Sequence, residues 1–510
     1  MRSSIIALFL LTFCTCDLAQ NNEGEAAGAV NVETDQPNIL IILADDMGYS
    51  DIGAYGGEME TPNLDQLAAV SRRYRRFYNA ARCCPTRAAL LTGRYPHAAG
   101  MGGMVSPAGS GPELGPYQGY LREDVPTIAE TLNEAGYRTW LSGKWHVGES
   151  REHWPHRRGF DRYFGLISGA SSYYTLRTDQ PRKRQMALDS LPWTPPDTGF
   201  YATTAYTDFA VARILEPSEQ PFFGYLAYTA PHWPLHAPEA TVEKYLPRYE
   251  AGWDSLREAR HKRQLKSGLL PHGTDLPPTN PDVPTWAEVS DKATWVRKMA
   301  VYAAMVEEMD KGIGRVLTAL DETGQRENTL IFFLSDNGGC DESVLQRGLH
   351  QPGSIIGQPG SYEAYERPWS QLSNVPFRRY KAWVNEGGIT TPLLFSWPAG
   401  GIEPGWTDRT GHVIDLPATC TYAAGLPGLG PGKPLPTVPD TIRTLFWEHQ
   451  GQQAVRWGNY KLLRSSPEAT WELYDLGVDP TELNDVAAGN PKLVAVLRQA
   501  YIAWWKEQVR

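Results

Sequence analysis

Two stretches constrain the fold of this chain more than any others. Residues 39–44 (Ile, Leu, Ile, Ile, Leu, Ala) run apolar without a break into Asp45 and Asp46, and residues 330–334 run likewise through Ser335 into Asp336, Asn337, Gly338 and Gly339. An unbroken apolar run, without polar alternation, is what a strand covered on both faces needs. Both therefore read as buried central strands, and the chain as an α/β protein with a mostly parallel sheet flanked by helices. In open sheets of this kind ligands gather beyond the carboxyl ends of the strands. There both runs present oxygen donors: Asp45 and Asp46 from the first, Asp336 and Asn337 from the second. An isolated Asp pair at a strand end is by default a polar turn, but four oxygen donors suit a hard divalent cation and disfavour zinc or copper.

A third stretch carries a different chemistry. Cys83 and Cys84 precede Pro85, and Pro is tolerated in the first turn of a helix, where its missing N–H costs nothing. Cys83 is thus predicted at a helix N-terminus, where free N–H groups and the helix dipole favour an anion. Cysteines in a capped helix are otherwise most simply small buried hydrophobes.

The run Cys83, Pro85, Arg87, followed by Leu91, Thr92, Gly93 and Arg94, resembles the signature by which sulfatases have a cysteine oxidised to formylglycine. Other blocks resemble the same family in the same order. They are Gly143, Lys144, Trp145, His146; Arg158, Gly159, Phe160, Asp161; Ala230, Pro231, His232, Trp233, Pro234; Lys381 with Glu386, Gly387, Gly388; and Leu473, Tyr474, Asp475, Leu476 with Asp479, Pro480 and Glu482. The histidine block looks most like that of bacterial arylsulfatases. Lys381 departs from the commoner Gly-Gly-Lys form, because Arg379 and Tyr380 precede it.

The resemblance implies an alkaline-phosphatase-like α/β fold with a smaller C-terminal α+β part. It also implies one Ca²⁺ ion held by Asp45, Asp46, Asp336, Asn337 and residue 83, and a catalytic set of Cys83, Arg87, Lys144, His146, His232 and Lys381. In that scheme hydrated formylglycine attacks sulfur and Asp336 takes its proton. Lys144 and Lys381 bind sulfuryl oxygens, His232 protonates the leaving alcohol, His146 takes the second diol proton and Arg87 orients the diol. Implied partners are a sulfated small molecule or carbohydrate and a formylglycine-generating or other sulfatase-maturating enzyme. The nearest rival is a phosphonate monoester or phosphodiester hydrolase with the same nucleophile. A non-catalytic sulfated-glycan binding protein is another, but it would need neither the Cys83 motif nor the four oxygen donors.

The remaining segments set the organisation. Residues 1–20, with Arg2 before an apolar core at 5–13 and small residues after it, read as an export signal, so a periplasmic or extracellular location is expected. Cys14 and Cys16 sit in no good lipoprotein cleavage box, and no later segment is apolar for long enough to span a bilayer. Residues 21–36 form an acidic linker, 37–430 the catalytic domain and 440–510 a C-terminal subdomain with short antiparallel strands and a helix at 491–508. Forty-eight Lys and Arg against 58 Asp and Glu give a net charge of -10, which argues against a nucleic-acid partner. Cys83, Cys84, Cys340 and Cys420 are too sparse for a disulfide framework. Residues 127–136 and 203–215 read as helices, 138–142 and 222–228 as strands, and 293–320 as the longest helix. Lys144 and His146, two apart in an extended segment, are expected to point the same way. The prolines around His232 should present it rather than pack it, leaving His236 a loop histidine. The basic run at 255–270 reads as a solvated helix face, and the loop at 340–374 should line the pocket. Trp233 and the tyrosines of 362–380 are expected to stack on a substrate ring.

Overall fold

The computed structural model describes residues 36–105, 111–176, 183–437 and 442–509. The strand Asn38–Ala44 lies at the centre of the main sheet, paired in parallel with Thr329–Ser335 on one side and Phe222–Ala227 on the other. Its side chains alternate between two cores, as a pleated strand requires. Leu40, Ile42 and Ala44 enter one core, and Ile39, Ile41 and Leu43 enter the other. That is why the sequence is apolar at every position.

The sheet has ten strands. From one edge they run Gly405–His412, Arg72–Tyr78, Thr390–Ser396, Thr329–Ser335, Asn38–Ala44, Phe222–Ala227, Arg138–Gly143, Arg162–Leu166, Met186–Leu188 and Leu191–Trp193. Thr390–Ser396 and the two short strands at the far edge run antiparallel, and the other pairings are parallel. Helices cover both faces, so the expected α/β architecture is what the chain adopts. The helix Lys292–Glu322 is the longest and packs on Glu239–Tyr249 and Ala202–Ile214 in the first core. Cys83–Thr92, Ile128–Glu134 and Asp415–Ala423 cover the other face. Register then fixes the site. Ala44 stands opposite Ser335, Leu43 opposite Ala227, and Ala227 opposite Gly143. Four parallel strands therefore end level, and the residues that follow them emerge side by side.

A second sheet, Thr444–His449, Gln452–Trp457, Tyr460–Arg464 and Glu472–Asp475, is an antiparallel meander followed by the helix Pro491–Gln508. Short antiparallel strands and the closing helix are what the sequence leads one to expect here. Val455, Leu462, Leu473, Leu497, Tyr501 and Trp504 join the same core as Leu416 and Cys420 of the helix Asp415–Ala423, which covers the larger sheet. A buried ion cluster adds to that contact: the ammonium of Lys461 lies 2.7 Å from Glu386 and 2.8 Å from Glu482. Glu386 opens the short helix just after Lys381. Lys461→Ala leaves two buried carboxylates uncompensated, which typically costs about 3–5 kcal/mol. A markedly lower denaturation midpoint is expected, read by circular dichroism.

The basic run is a solvated face only in part: Lys262 and Lys266 are exposed, but other members turn inward. Within the helix Gly252–Lys266, Arg260 is wholly buried and paired with Asp51 at 2.8 Å and Glu58 at 2.6 Å, and Arg257 and His261 are buried too. Alternation of Leu256 and Trp253 with these residues is too weak a signal to show that the charges face inward, because their carboxylate partners lie about 200 residues away in sequence. Among the described residues no helix is long and apolar enough to cross a membrane. The export signal and nearly all of the linker lie outside the described residues.

Candidate active site

The four oxygen-bearing residues converge where the central strands end. The backbone N–H of Asp46 donates to Oδ1 of Asp336 at 3.2 Å, and the Asn337 amide donates to Oδ1 of Asp46 at 2.7 Å. Oδ1 of Asp45 and Oδ1 of Asn337 are buried and accept no hydrogen bond. Leaving two such oxygens unmet normally costs free energy, and a cation would satisfy both. The residues fit a hard divalent ion. Burial pushes the Asp45 carboxyl well up, with Lys144 opposing it, so a bound cation would also favour the ionised form. Asp46 has a positive φ of 64°, a left-handed conformation costly for a non-glycine residue and common at functional sites.

Cations ring this cluster. Nζ of Lys144 lies 2.6 Å from Asp45, and Nζ of Lys381 lies 2.8 Å from Asp46. Nε and Nη2 of Arg87 both donate to Oδ2 of Asp336, at 3.1 and 2.8 Å, while Nη1 donates to the carbonyl of Lys144 at 3.0 Å. Arg87 thus fixes Asp336 and the Lys144 segment. Lys381 arrives by a backbone bond from its N–H to the carbonyl of Gly339, at 3.1 Å. Gly338 makes that close approach possible, since a Cβ there would stand 1.9 Å from the carbonyl oxygen of Gly387.

Cys83 begins the helix Cys83–Thr92 as expected. The Cys84 thiol bonded to it holds the Cys83 thiol well below the ordinary range against burial, helped by Lys144 and Lys381. Lys144 and His146 do both enter the site, but not by extended geometry. The strand stops at Gly143, whose φ is 112°, and His146 is itself left-handed at 56°. Burial lowers the His146 imidazole to about 4, with Lys144 adding to the effect.

His232 is buried too, and burial with Lys381 and Lys144 drives its imidazole well below the usual range. Its Nδ1 lies 2.6 Å from the carbonyl of Trp233, so Nδ1 carries the proton and donates. The free Nε2 faces Lys381 at 3.4 Å and Asp46 at 3.4 Å. Every one of these residues is buried. The least covered are His232 at 5% exposure and His146 and Lys381 at 4%, and they mark the way in.

Three expectations meet a different outcome around this mouth. His232 is packed and not presented, while His236 is the loop histidine expected, its Nδ1 accepting from the N–H of Tyr173 and its Nε2 3.0 Å from the carbonyl of Ser361. Tyr362 and Tyr365 belong to the core, Tyr365 stacking on Tyr302 at 4.3 Å. One face of Trp233 is covered by the guanidinium of Arg347, 4.2 Å from the ring centroid. Glu342 sits between Arg347 at 3.6 Å and Arg82 at 2.9 Å, so the loop following Asn337 does border the site, but with charges and not tyrosines. Supporting residues that sequence reading misses are Ser335, whose Oγ accepts from the N–H of Met47, and Asn374, which accepts from that of Gly339. Ser335, the one polar residue in its apolar run, carries a legible signal, whereas Asn374 carries none. All four described cysteines are free.

The family model described as sulfatase matches residues 37–426. The chain is 33% identical over 531 residues to an uncharacterized sulfatase of Schizosaccharomyces pombe, covering 93% of this chain and 94% of that one. It is 35% identical over 417 residues to an arylsulfatase of Klebsiella aerogenes, covering 79% and 89%. Among solved structures, Ps i-CgsB in complex with k-i-k-neocarrahexaose superposes with a TM-score of 0.69 at 26% identity, over 93% of this chain and 94% of that one.

Proposed function

Because the chain belongs to the sulfatase family, whose members hydrolyse sulfate esters, we propose that it is an arylsulfatase-type sulfuric ester hydrolase. It acts with formylglycine made from Cys83 and with one Ca²⁺ ion on Asp45, Asp46, Asp336, Asn337 and residue 83. One observation carries this reading: residues from five distant segments meet around Cys83, where two buried oxygens accept no hydrogen bond. On the same reading a maturating enzyme converts Cys83, and the chain is exported to a periplasm or beyond. Residues 37–430 are the catalytic part and 440–510 a supporting subdomain.

When present, the two groups supply a hydrated aldehyde as nucleophile toward sulfur and a divalent charge beside the sulfuryl oxygens. The remaining work falls to side chains. Lys144 and Lys381, now paired with Asp45 and Asp46, offer ammonium N–H groups to the sulfuryl oxygens as negative charge builds there. Arg87 fixes Asp336 through two hydrogen bonds to Oδ2, placing that side chain to accept a proton. Nε2 of His232 receives a proton once the anionic ester offsets Lys381 and Lys144, and passes it to the departing oxygen. His146 takes the proton whose removal releases sulfate. The same set would serve phosphate esters, so turnover of 4-nitrophenyl sulfate against bis(4-nitrophenyl) phosphate is the test. A large preference for the sulfate is expected, and a large preference for the phosphate would reverse the assignment.

His232→Ala is expected to cost about 10²–10⁴-fold with a poor alkyl or sugar leaving group, the usual size of a general-acid effect, and much less with nitrophenol. A plot of rate against leaving-group pKa should steepen in the variant. An equal loss for every leaving group would make His232 a sulfate-binding residue only. Relatives whose names include N-acetylgalactosamine-6-sulfatase and a structure in complex with k-i-k-neocarrahexaose support a sulfated carbohydrate as one candidate substrate class.

A further inference from the structure

Cys84 has no part in the reaction above. It follows Cys83 in the first turn of the helix, wholly buried. With Cys83 and His146 it forms a trio whose sulfur and nitrogen ligand atoms all lie within 4.8 Å of one another. Nδ1 of His146 is buried and has no hydrogen-bond partner. Two thiolates and an imidazole are the donors of zinc, cadmium and copper(I), not of a hard cation. The oxygen donors of Asp45, Asp46, Asp336 and Asn337 have the opposite preference.

We propose that the chain in which residue 83 is still cysteine binds one thiophilic ion of the zinc or cadmium class through Cys83, Cys84 and His146, and that conversion of Cys83 destroys this site. The second clause rests on the formylglycine reading; the first does not. On binding, two metal–sulfur bonds and one metal–nitrogen bond form, and the thiol protons leave to solvent. No electrons are transferred. Two thiolates cancel the charge of a divalent ion, so the loaded trio adds no net positive charge beside Lys144 and Lys381. Three protein ligands leave a fourth position open. While the ion is bound, the Cys83 sulfur is held as a metal thiolate.

The test uses the full chain made without a maturating enzyme, with Cys83 verified by peptide mass and Ca²⁺ in excess to occupy the oxygen set. Titration with Cd²⁺ should give one equivalent with sulfur-to-metal charge-transfer absorption. X-ray absorption of the Zn²⁺ form should show two sulfurs at about 2.3 Å and at least one nitrogen at about 2.0–2.1 Å. Cys84→Ala and Cys84→Ser, checked for folding by circular dichroism, should each weaken Cd²⁺ binding by more than about 100-fold, since even outer-shell changes cost 10–100-fold. Absence of binding, fewer than two sulfurs in the wild-type Zn²⁺ spectrum, unchanged binding in folded Cys84 variants, or equal binding after conversion would each overturn the proposal. No turnover is measured, so this outcome is independent of whether the chain hydrolyses sulfate esters.

Discussion

Cys83→Ala is expected to remove sulfate ester hydrolysis by about 10⁶-fold, the scale on which loss of an enzyme's nucleophile registers, while Cys84→Ala keeps most of it in matured protein. The contrast rests on position. Both thiols are buried at the same helix start, but Cys84 packs in the core with Leu90, Leu91 and Ile128, while Cys83 sits among Lys144, Lys381 and His146. Losing one sulfur from the core side costs stability of the order of a small cavity, ~1 kcal/mol. Losing it from the cationic side removes the only atom that can become the nucleophile. Equal losses in the two variants, with both folded, would sink the assignment of Cys83.

Removal of the divalent ion has the second largest expected effect. Chelation should lower activity by more than about 10³-fold, because even one lost transition-state donor costs 10²–10³, and added Ca²⁺ should restore it. The chelated protein should also unfold at lower temperature, since an ion that binds only the folded state stabilises it by mass action. Asp46→Asn is the sharper variant. It keeps the shape that meets Asn337 but removes the charge that balances Lys381. It should lose the ion, by elemental analysis, and gain nothing from added Ca²⁺. Full activity of metal-free protein would contradict the cation site, and preferential restoration by Mg²⁺ would change the ion.

Much of this site is legible in the sequence because its parts follow buried strands. Continuous apolar runs announce Asn38–Ala44 and Thr329–Ser335, and whatever follows such strands is delivered to the carboxyl edge of the sheet. That logic finds Asp45, Asp46, Asp336 and Asn337, and family resemblance supplies Lys381, which no strand end announces. What sequence cannot show is which long-range partner each charge meets. Arg260 reads as a surface charge until Asp51 and Glu58 are seen around it, and nothing in the sequence ties Arg87 to Asp336. The tyrosines near 362 fail for a related reason: a Gly-rich loop suggests exposure, but Tyr362 and Tyr365 fold back beneath it into the core. A strand such as Arg72–Tyr78, one in from the edge of the sheet and with four arginines in seven residues, carries no apolar run and is found only by its pairing.

The most direct test is the mass of the peptide spanning residue 83, taken from active protein coexpressed with a sulfatase-maturating enzyme. Conversion to formylglycine replaces one sulfur and two hydrogens of the side chain by one oxygen, and the aldehyde is trapped by a hydrazide. The expected result is that the converted fraction at residue 83, with Cys84 unmodified, rises in proportion to specific activity across preparations. Full sulfatase activity in protein whose residue 83 is entirely unmodified cysteine would contradict the central claim.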